Sequence, residues 1–142
     1  MNYITKSTEE TKKIAFELAK ELDTGATNRR YIALRGEMGV GKTAFAAGFA
    51  SYFGITSTKS PTYTVMNEYR NNGARIFHFD MYRIEDDDEL YAMGYYDYVD
   101  SGAYCIVEWS ENIESSIPSD AIFVTISRCE DDENKRNINI DF

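Results

Sequence analysis

Eight consecutive residues, Gly36, Glu37, Met38, Gly39, Val40, Gly41, Lys42 and Thr43, have the composition and spacing of a phosphate-binding loop. In such a loop backbone N–H groups wrap phosphate oxygens, so glycines are needed wherever the main chain must come close, and the positive end of the next helix adds to the attraction. Lys42 would reach the β- and γ-phosphates of a nucleoside triphosphate, and the Thr43 hydroxyl would bind the Mg2+ ion that bridges them. A magnesium–nucleotide site also needs a carboxylate at the end of a neighbouring buried strand. Glu108, directly after the apolar run at 103–107, is the first candidate for that contact, made directly or through water. Asp80, after the strand expected at 75–79, is the second carboxylate, placed to orient an attacking water or to hold a metal-bound one.

Other chemistry-bearing residues allow two readings each. Ser60, Thr62, Tyr63 and Thr64 put four hydroxyls around Pro61, where Thr62 would sense the γ-phosphate as a switch segment does or simply join a loop to a strand. His78, the sole histidine, reads better as packed or hydrogen-bonded than as catalytic. The four tyrosines between positions 91 and 98 fit either core or a partner surface. The acidic runs 85–89 and 130–133 read as solvated faces or loops.

The elements that must position these groups are legible in outline. Ser7 followed by Glu10 is a capping box, and Ile14, Leu18 and Leu22 recur at helical spacing up to Gly25. Residues 31–34 form a short apolar strand that leads into the loop, and 42–53 an Ala- and Phe-rich helix stopped by Gly54. Strands at 62–69 and 75–79 flank Asn71, Asn72 and Gly73 as an antiparallel hairpin. A short helix spans 85–93 and ends at Gly94, a buried strand spans 103–107, and two last strands at 121–127 and 137–142 are joined by the loop 130–133. Strand, glycine loop and helix in this order predict an α/β fold: a single P-loop NTPase domain, residues 1–142, with a mixed central sheet flanked by helices.

Composition narrows the function. With 43% hydrophobic and 14% aromatic residues the chain is expected to fold around one core. A net charge of −9 argues against direct binding to nucleic acid, where Lys and Arg must neutralise phosphates, so any RNA role would require a basic partner. Two cysteines without metal-ligand spacing give no disulfide framework and fit a reducing cytoplasm. No apolar run is long enough to span a bilayer, so no membrane role is expected.

The loop, the segment 60–64, the run His78, Phe79, Asp80, Met81, Tyr82, Arg83, and the run Val107, Glu108, Trp109 occur together in an order that resembles the TsaE (YjeE, YdiB) family, and the match covers most of the chain. The resemblance implies a magnesium-dependent ATPase of low intrinsic activity that serves the synthesis of tRNA N6-threonylcarbamoyladenosine. It implies that ATP hydrolysis resets a complex with the TsaD and TsaB proteins between turnovers, with tRNA met only through that complex. By motif matching, Lys42 binds phosphate, Thr43 and Glu108 hold magnesium, and Asp80 supports hydrolysis. Thr11 and Arg136 match adenine-side contacts, and Trp109 either couples the site to a partner or packs. The part of the chain after Arg136 is shorter than in many relatives.

Three other functions share the loop. A small-molecule kinase normally adds an arginine-rich lid, and only Arg29 and Arg30 cluster here. A GTPase would read guanine with an aspartate that Asn134, Lys135, Arg136 and Asn137 do not supply. A nucleotide-gated interaction module would use the same loop without hydrolysis.

Overall fold

Ser7 starts the first helix through its side chain: its Oγ accepts from the Glu10 amide at 3.2 Å, a cap that contributes about 1 kcal/mol. The reciprocal half of the expected capping box is displaced by one residue. Glu10 Oε1 accepts from the Lys6 amide at 3.2 Å rather than from that of Ser7. The structure, a computed structural model, describes residues 1–62 and 64–142, so Tyr63 of the hydroxyl-rich segment lies outside the described residues.

The elements in chain order are β1 (Asn2–Thr5), α1 (Thr8–Thr24), β2 (Tyr31–Arg35), α2 (Lys42–Tyr52), β3 (Met66–Asn71), β4 (Ala74–Asp80), α3 (Asp87–Met93), α4 (Tyr95–Asp100), β5 (Tyr104–Glu108), a kinked 3-10 segment (Ser110–Ser116), β6 (Ile122–Cys129) and β7 (Asp132–Asp141). They build one seven-stranded mixed sheet in the order β1-β7-β6-β2-β5-β4-β3. The central strands β6, β2, β5 and β4 run parallel, while β3, β7 and β1 are antiparallel additions at the two edges. This is the α/β P-loop architecture expected from the sequence.

Alternation along the strands assigns each face its helices. Ile32, Leu34, Ile76, Ile106, Val124 and Ile126 lie in one core cluster with Leu18 and Leu22 of α1 and Phe45 and Phe49 of α2. Phe77, Phe79, Cys105 and Val107 point the other way and pack with Leu90 of α3 and Tyr95 of α4. Each fully buried phenylalanine contributes roughly 2–3 kcal/mol through the apolar area it removes from water. Helices α1 and α2 approach so closely that a Cβ on Gly48 would collide with the backbone of Lys12.

Several expected boundaries move. The strand predicted at 62–69 begins only at Met66, because the Val65 amide instead donates to the Pro61 carbonyl at 2.8 Å and Val65 takes a φ of 68°. Local turn chemistry thus overrides the strand propensity of Thr and Val. The connection predicted at 130–133 shrinks to a tight turn, and β7 starts at Asp132. The helix predicted from residue 85 starts at Asp87, capped by Asp86, whose Oδ1 accepts from the Glu89 amide at 3.0 Å. Part of the tyrosine cluster becomes α4, and Tyr95 is core: its hydroxyl meets that of Tyr31 at 2.7 Å, and burial raises both phenol pKa values.

Candidate functional site

The carboxyl ends of β2, β4 and β5 lie side by side, with Asp80 in register opposite Glu108 and the glycine loop leaving β2 beside them. Loops at the carboxyl edge of parallel strands are where α/β folds place ligands. The loop's shape depends on Gly36, which takes a φ of 146° and where a Cβ would collide with the Ile126 carbonyl. Gly41 is the N-cap of α2 with a φ of 117°, and no side chain among the described residues caps that end. The first N–H groups of α2 are therefore available to an anion.

Lys42 and Thr43, the first two residues of α2, bring the chemistry together. The Thr43 hydroxyl lies 3.3 Å from each oxygen of Glu108. Lys42 is buried; its ammonium donates to the Gly36 carbonyl and sits 3.7 Å from the centre of the Trp109 ring. Burial lowers the Lys42 pKa, while the nearby carboxylates of Glu108, Glu111 and Asp80 oppose that shift. Asp80 is buried too, and its Oδ1 accepts from the Tyr82 amide at 2.9 Å. A cavity of about 340 Å³ is bounded by Lys42, Thr43, Thr62, Asp80, Glu108 and Trp109.

A second cavity, of about 410 Å³, shares Gly39, Gly41 and Ala44 with the lining of the first. The expected base-side residues meet there: Thr11 from α1 and Arg136 from β7, together with Lys6 and Asn134. Arg136 Nε donates to the Val40 carbonyl at 3.0 Å, and the buried Thr11 hydroxyl is engaged with that of Thr5 at 2.9 Å. Of the other loop residues, Met38 borders the first cavity and Val40 the second, and Glu37 borders neither. Glu37 pairs at the surface with Arg128 at 3.0 Å, Met38 is exposed, and Val40 packs into the core.

The two adjoining cavities are smaller than a depression of about 860 Å³ at the opposite end of the sheet. That depression's cations are already occupied: Arg30 donates to the Thr27 and Arg29 carbonyls, and Arg75 Nε meets Glu68 Oε2 at 2.9 Å. Size is outweighed by chemistry, because the smaller pair holds the helix terminus, the lysine and the carboxylates.

His78 is packed and hydrogen-bonded as its sequence context suggested, but its partners, Glu111 and the Trp109 backbone were not legible in the sequence. His78 is fully buried, with Nε2 2.5 Å from Glu108 Oε2 and Nδ1 3.0 Å from the Tyr69 hydroxyl. The two-residue spacing of His78 and Asp80 on one strand puts both on the α2 face, a signal the sequence does carry. Glu111 adds a further carboxylate near Lys42, and its Oε1 is buried without a partner among the described residues. Trp109 has a φ of 57°, a backbone conformation uncommon for a residue other than glycine.

The donor set also bears on a metal. Among the described residues no group of three or more His, Cys, Asp or Glu side chains could hold an ion. One carboxylate beside one hydroxyl fits Mg2+, which keeps several waters and takes phosphate oxygens rather than occupying an all-protein cage. No helix among the described residues is long and apolar enough to cross a membrane.

Known proteins are similar to this chain over most of its length. The family model described as "Threonylcarbamoyl adenosine biosynthesis protein TsaE" matches residues 5–138. The chain is 37% identical over 134 residues to the tRNA threonylcarbamoyladenosine biosynthesis protein TsaE of Bacillus subtilis, covering 94% of this chain and 81% of that protein. The protein of the same description from Haemophilus influenzae is 39% identical over 104 residues, 72% of this chain and 66% of the relative. The crystal structure of Bacillus subtilis YdiB superposes with a TM-score of 0.77 at 31% identity, covering 99% of this chain and 83% of that one. Sequence, fold and family model agree over nearly the whole described chain, which belongs to the TsaE family.

Proposed function

We propose that residues 1–142 act as one Mg2+-dependent ATPase domain of low intrinsic activity, working in the cytoplasm in the synthesis of tRNA N6-threonylcarbamoyladenosine. Its ATP hydrolysis permits repeated turnover by TsaD and TsaB, through which it meets tRNA. The observation that carries the nucleotide reading is the convergence of the Thr43 hydroxyl on both Glu108 oxygens, 3.3 Å away, at the uncapped start of α2. The family supports the pathway.

Thr43 and Glu108 would hold a Mg2+ ion, which would supply positive charge to offset that of the phosphates. The chain's own residues do the rest. Backbone N–H groups of Gly36, Glu37, Met38, Gly39, Val40 and Gly41 cradle phosphate, Lys42 pairs with it, and Thr43 and Glu108 hold the metal. Asp80 orients the attacking water, and Thr11 and Arg136 border the base. Both cavities are lined by Gly39, Gly41 and Ala44, which supports one extended ligand reaching from the phosphate side to Thr11 and Arg136.

The test is to titrate ATP binding and hydrolysis by the purified chain, with and without TsaD and TsaB, while counting modified tRNA per complex. ATP binding that requires Mg2+, with partners accelerating hydrolysis and several tRNAs modified per complex, is the expected result. No ATP binding, or multiple turnovers without this chain, refutes the proposal. A second reading, a nucleotide-gated module that does not hydrolyse, is favoured by one observation: Asp80 Oδ1 is engaged with the Tyr82 amide, as in a simple turn cap.

A further inference from the structure

Glu108 is held from two sides. Thr43 approaches from α2, and His78 from β4, with its Nε2 2.5 Å from Glu108 Oε2. The other ring nitrogen of His78 faces the Tyr69 hydroxyl at 3.0 Å. That hydroxyl donates to the Lys59 carbonyl at 2.8 Å and accepts from the Lys59 amide at 3.2 Å. His78 and Tyr69 are buried, so neither bond competes freely with water. A continuous chain of polar contacts thus runs from the backbone of Lys59, three residues before Thr62 of the cavity wall, to the proposed metal ligands.

The geometry points to His78 as a positioning residue for the metal-side carboxylate, with Tyr69 locking the imidazole and tying the Lys59 backbone to the same site; this rests on the magnesium reading above. A carboxylate that binds a cation must be ionised, and an ionised Glu108 accepts from Nε2–H. That bond fixes which way the carboxylate faces, with the Thr43 hydroxyl 3.3 Å from both of its oxygens. Groups behind a metal ligand set its orientation and basicity in this way. A single proton serves the Tyr69 hydroxyl, so a donation to His78 competes with one to Lys59, and the histidine ring and the residue 59 backbone share one adjustable partner. Metal occupancy and the order of the segment before Thr62 are therefore coupled.

The test uses the full chain, fluorescent ATP and Mg2+, comparing His78→Gln with His78→Asn. The terminal amide of Gln reaches the Nε2 position and keeps a donor to Glu108, whereas that of Asn reaches only Nδ1. The half-saturating Mg2+ concentration for nucleotide binding is expected to rise about tenfold in His78→Asn and less than about threefold in His78→Gln, with nucleotide affinity in EDTA unchanged. Tyr69→Phe, which keeps the ring, should raise the Mg2+ requirement and abolish the metal-induced slowing of hydrogen exchange at the Lys59 amide. Equal behaviour of the Gln and Asn variants, or wild-type Mg2+ dependence in both, overturns the positioning role. If either histidine variant fails to fold by its melting curve, Tyr69→Phe decides: wild-type metal dependence and exchange there overturn the coupling. A wild-type chain whose nucleotide affinity ignores Mg2+ is a different result, which removes the magnesium reading and the positioning role with it.

Discussion

The Lys42 ammonium rests 3.7 Å from the centre of the Trp109 ring while donating to the Gly36 carbonyl of its own loop. A cation over an indole face gains on the order of 1–2 kcal/mol when desolvated. Trp109 holds this position with a φ of 57°, so the lysine is parked by a residue whose backbone is itself under strain.

Trp109 is the only tryptophan, so its emission reports on Lys42. Binding of a triphosphate should draw the ammonium off the ring and change that emission saturably. Unchanged emission while calorimetry registers binding would show that Lys42 stays where it is.

Asp80→Asn keeps an oxygen able to accept from the Tyr82 amide and removes only the charge. Partner-stimulated hydrolysis should fall by about 10²-fold or more, the scale of a lost proton-transfer or water-orienting group. ATP affinity, measured by calorimetry, should change little. Wild-type hydrolysis in this variant would assign Asp80 to the turn, whereas lost hydrolysis with ATP binding and tRNA modification unchanged would favour the gated module.

Gly48→Ala sets two effects against each other. Replacing glycine inside a helix stabilises by about 1 kcal/mol. The added Cβ meets the Lys12 carbonyl oxygen, carbonyl carbon and Cα, and backbone atoms have no rotamer to escape to. Overpacking costs typically about 1–3 kcal/mol, so the net sign is destabilising and the melting temperature should drop by several degrees. A rise would mean that α1 yields to the methyl group.

Alkaline stability follows from buried acids. Burial pushes the Cys105 thiol from 9.0 up to about 12, so between those values the unfolded chain gives up a proton that the folded chain keeps. The contribution is therefore complete below pH 9.0 and lost as pH climbs toward 12. At one unit above the ordinary value the loss is about 1 kcal/mol. Denaturant midpoints should decline from pH 9 upward in the wild type and more gently in Cys105→Ala. Parallel declines would remove Cys105 from the account, leaving the buried phenols of Tyr31 and Tyr95, whose pKa values burial also raises.

The loop was legible in the sequence because the phosphate-loop pattern restricts residue types at fixed spacing, and Gly36, Gly41, Lys42 and Thr43 meet it. The sequence revealed Glu108 and Asp80 because each ends an apolar strand. What it hid were relationships that need register. His78 opposes Ile106 on the neighbouring strand and reaches Glu108 diagonally, and no pattern within β4 alone states which strand lies beside it. β1 was missed because four residues at a sheet edge carry too little periodicity. β3 was started too early because a turn hydrogen bond between Val65 and Pro61 outweighs β-propensity.

The base-side cavity has a mechanical consequence. Its walls come from the segment between β1 and α1 on one side and from β7 on the other, and these two strands are zipped together with Thr5 opposite Arg136. Among the described residues β1 has no other strand neighbour. A ligand seated there acts as a clasp across the seam, adding a bridge where edge pairing would otherwise be first to fray. Occupancy of the cavity then sets how easily the outermost strand peels away, so resistance to proteolysis near Lys6 becomes a gauge of nucleotide load.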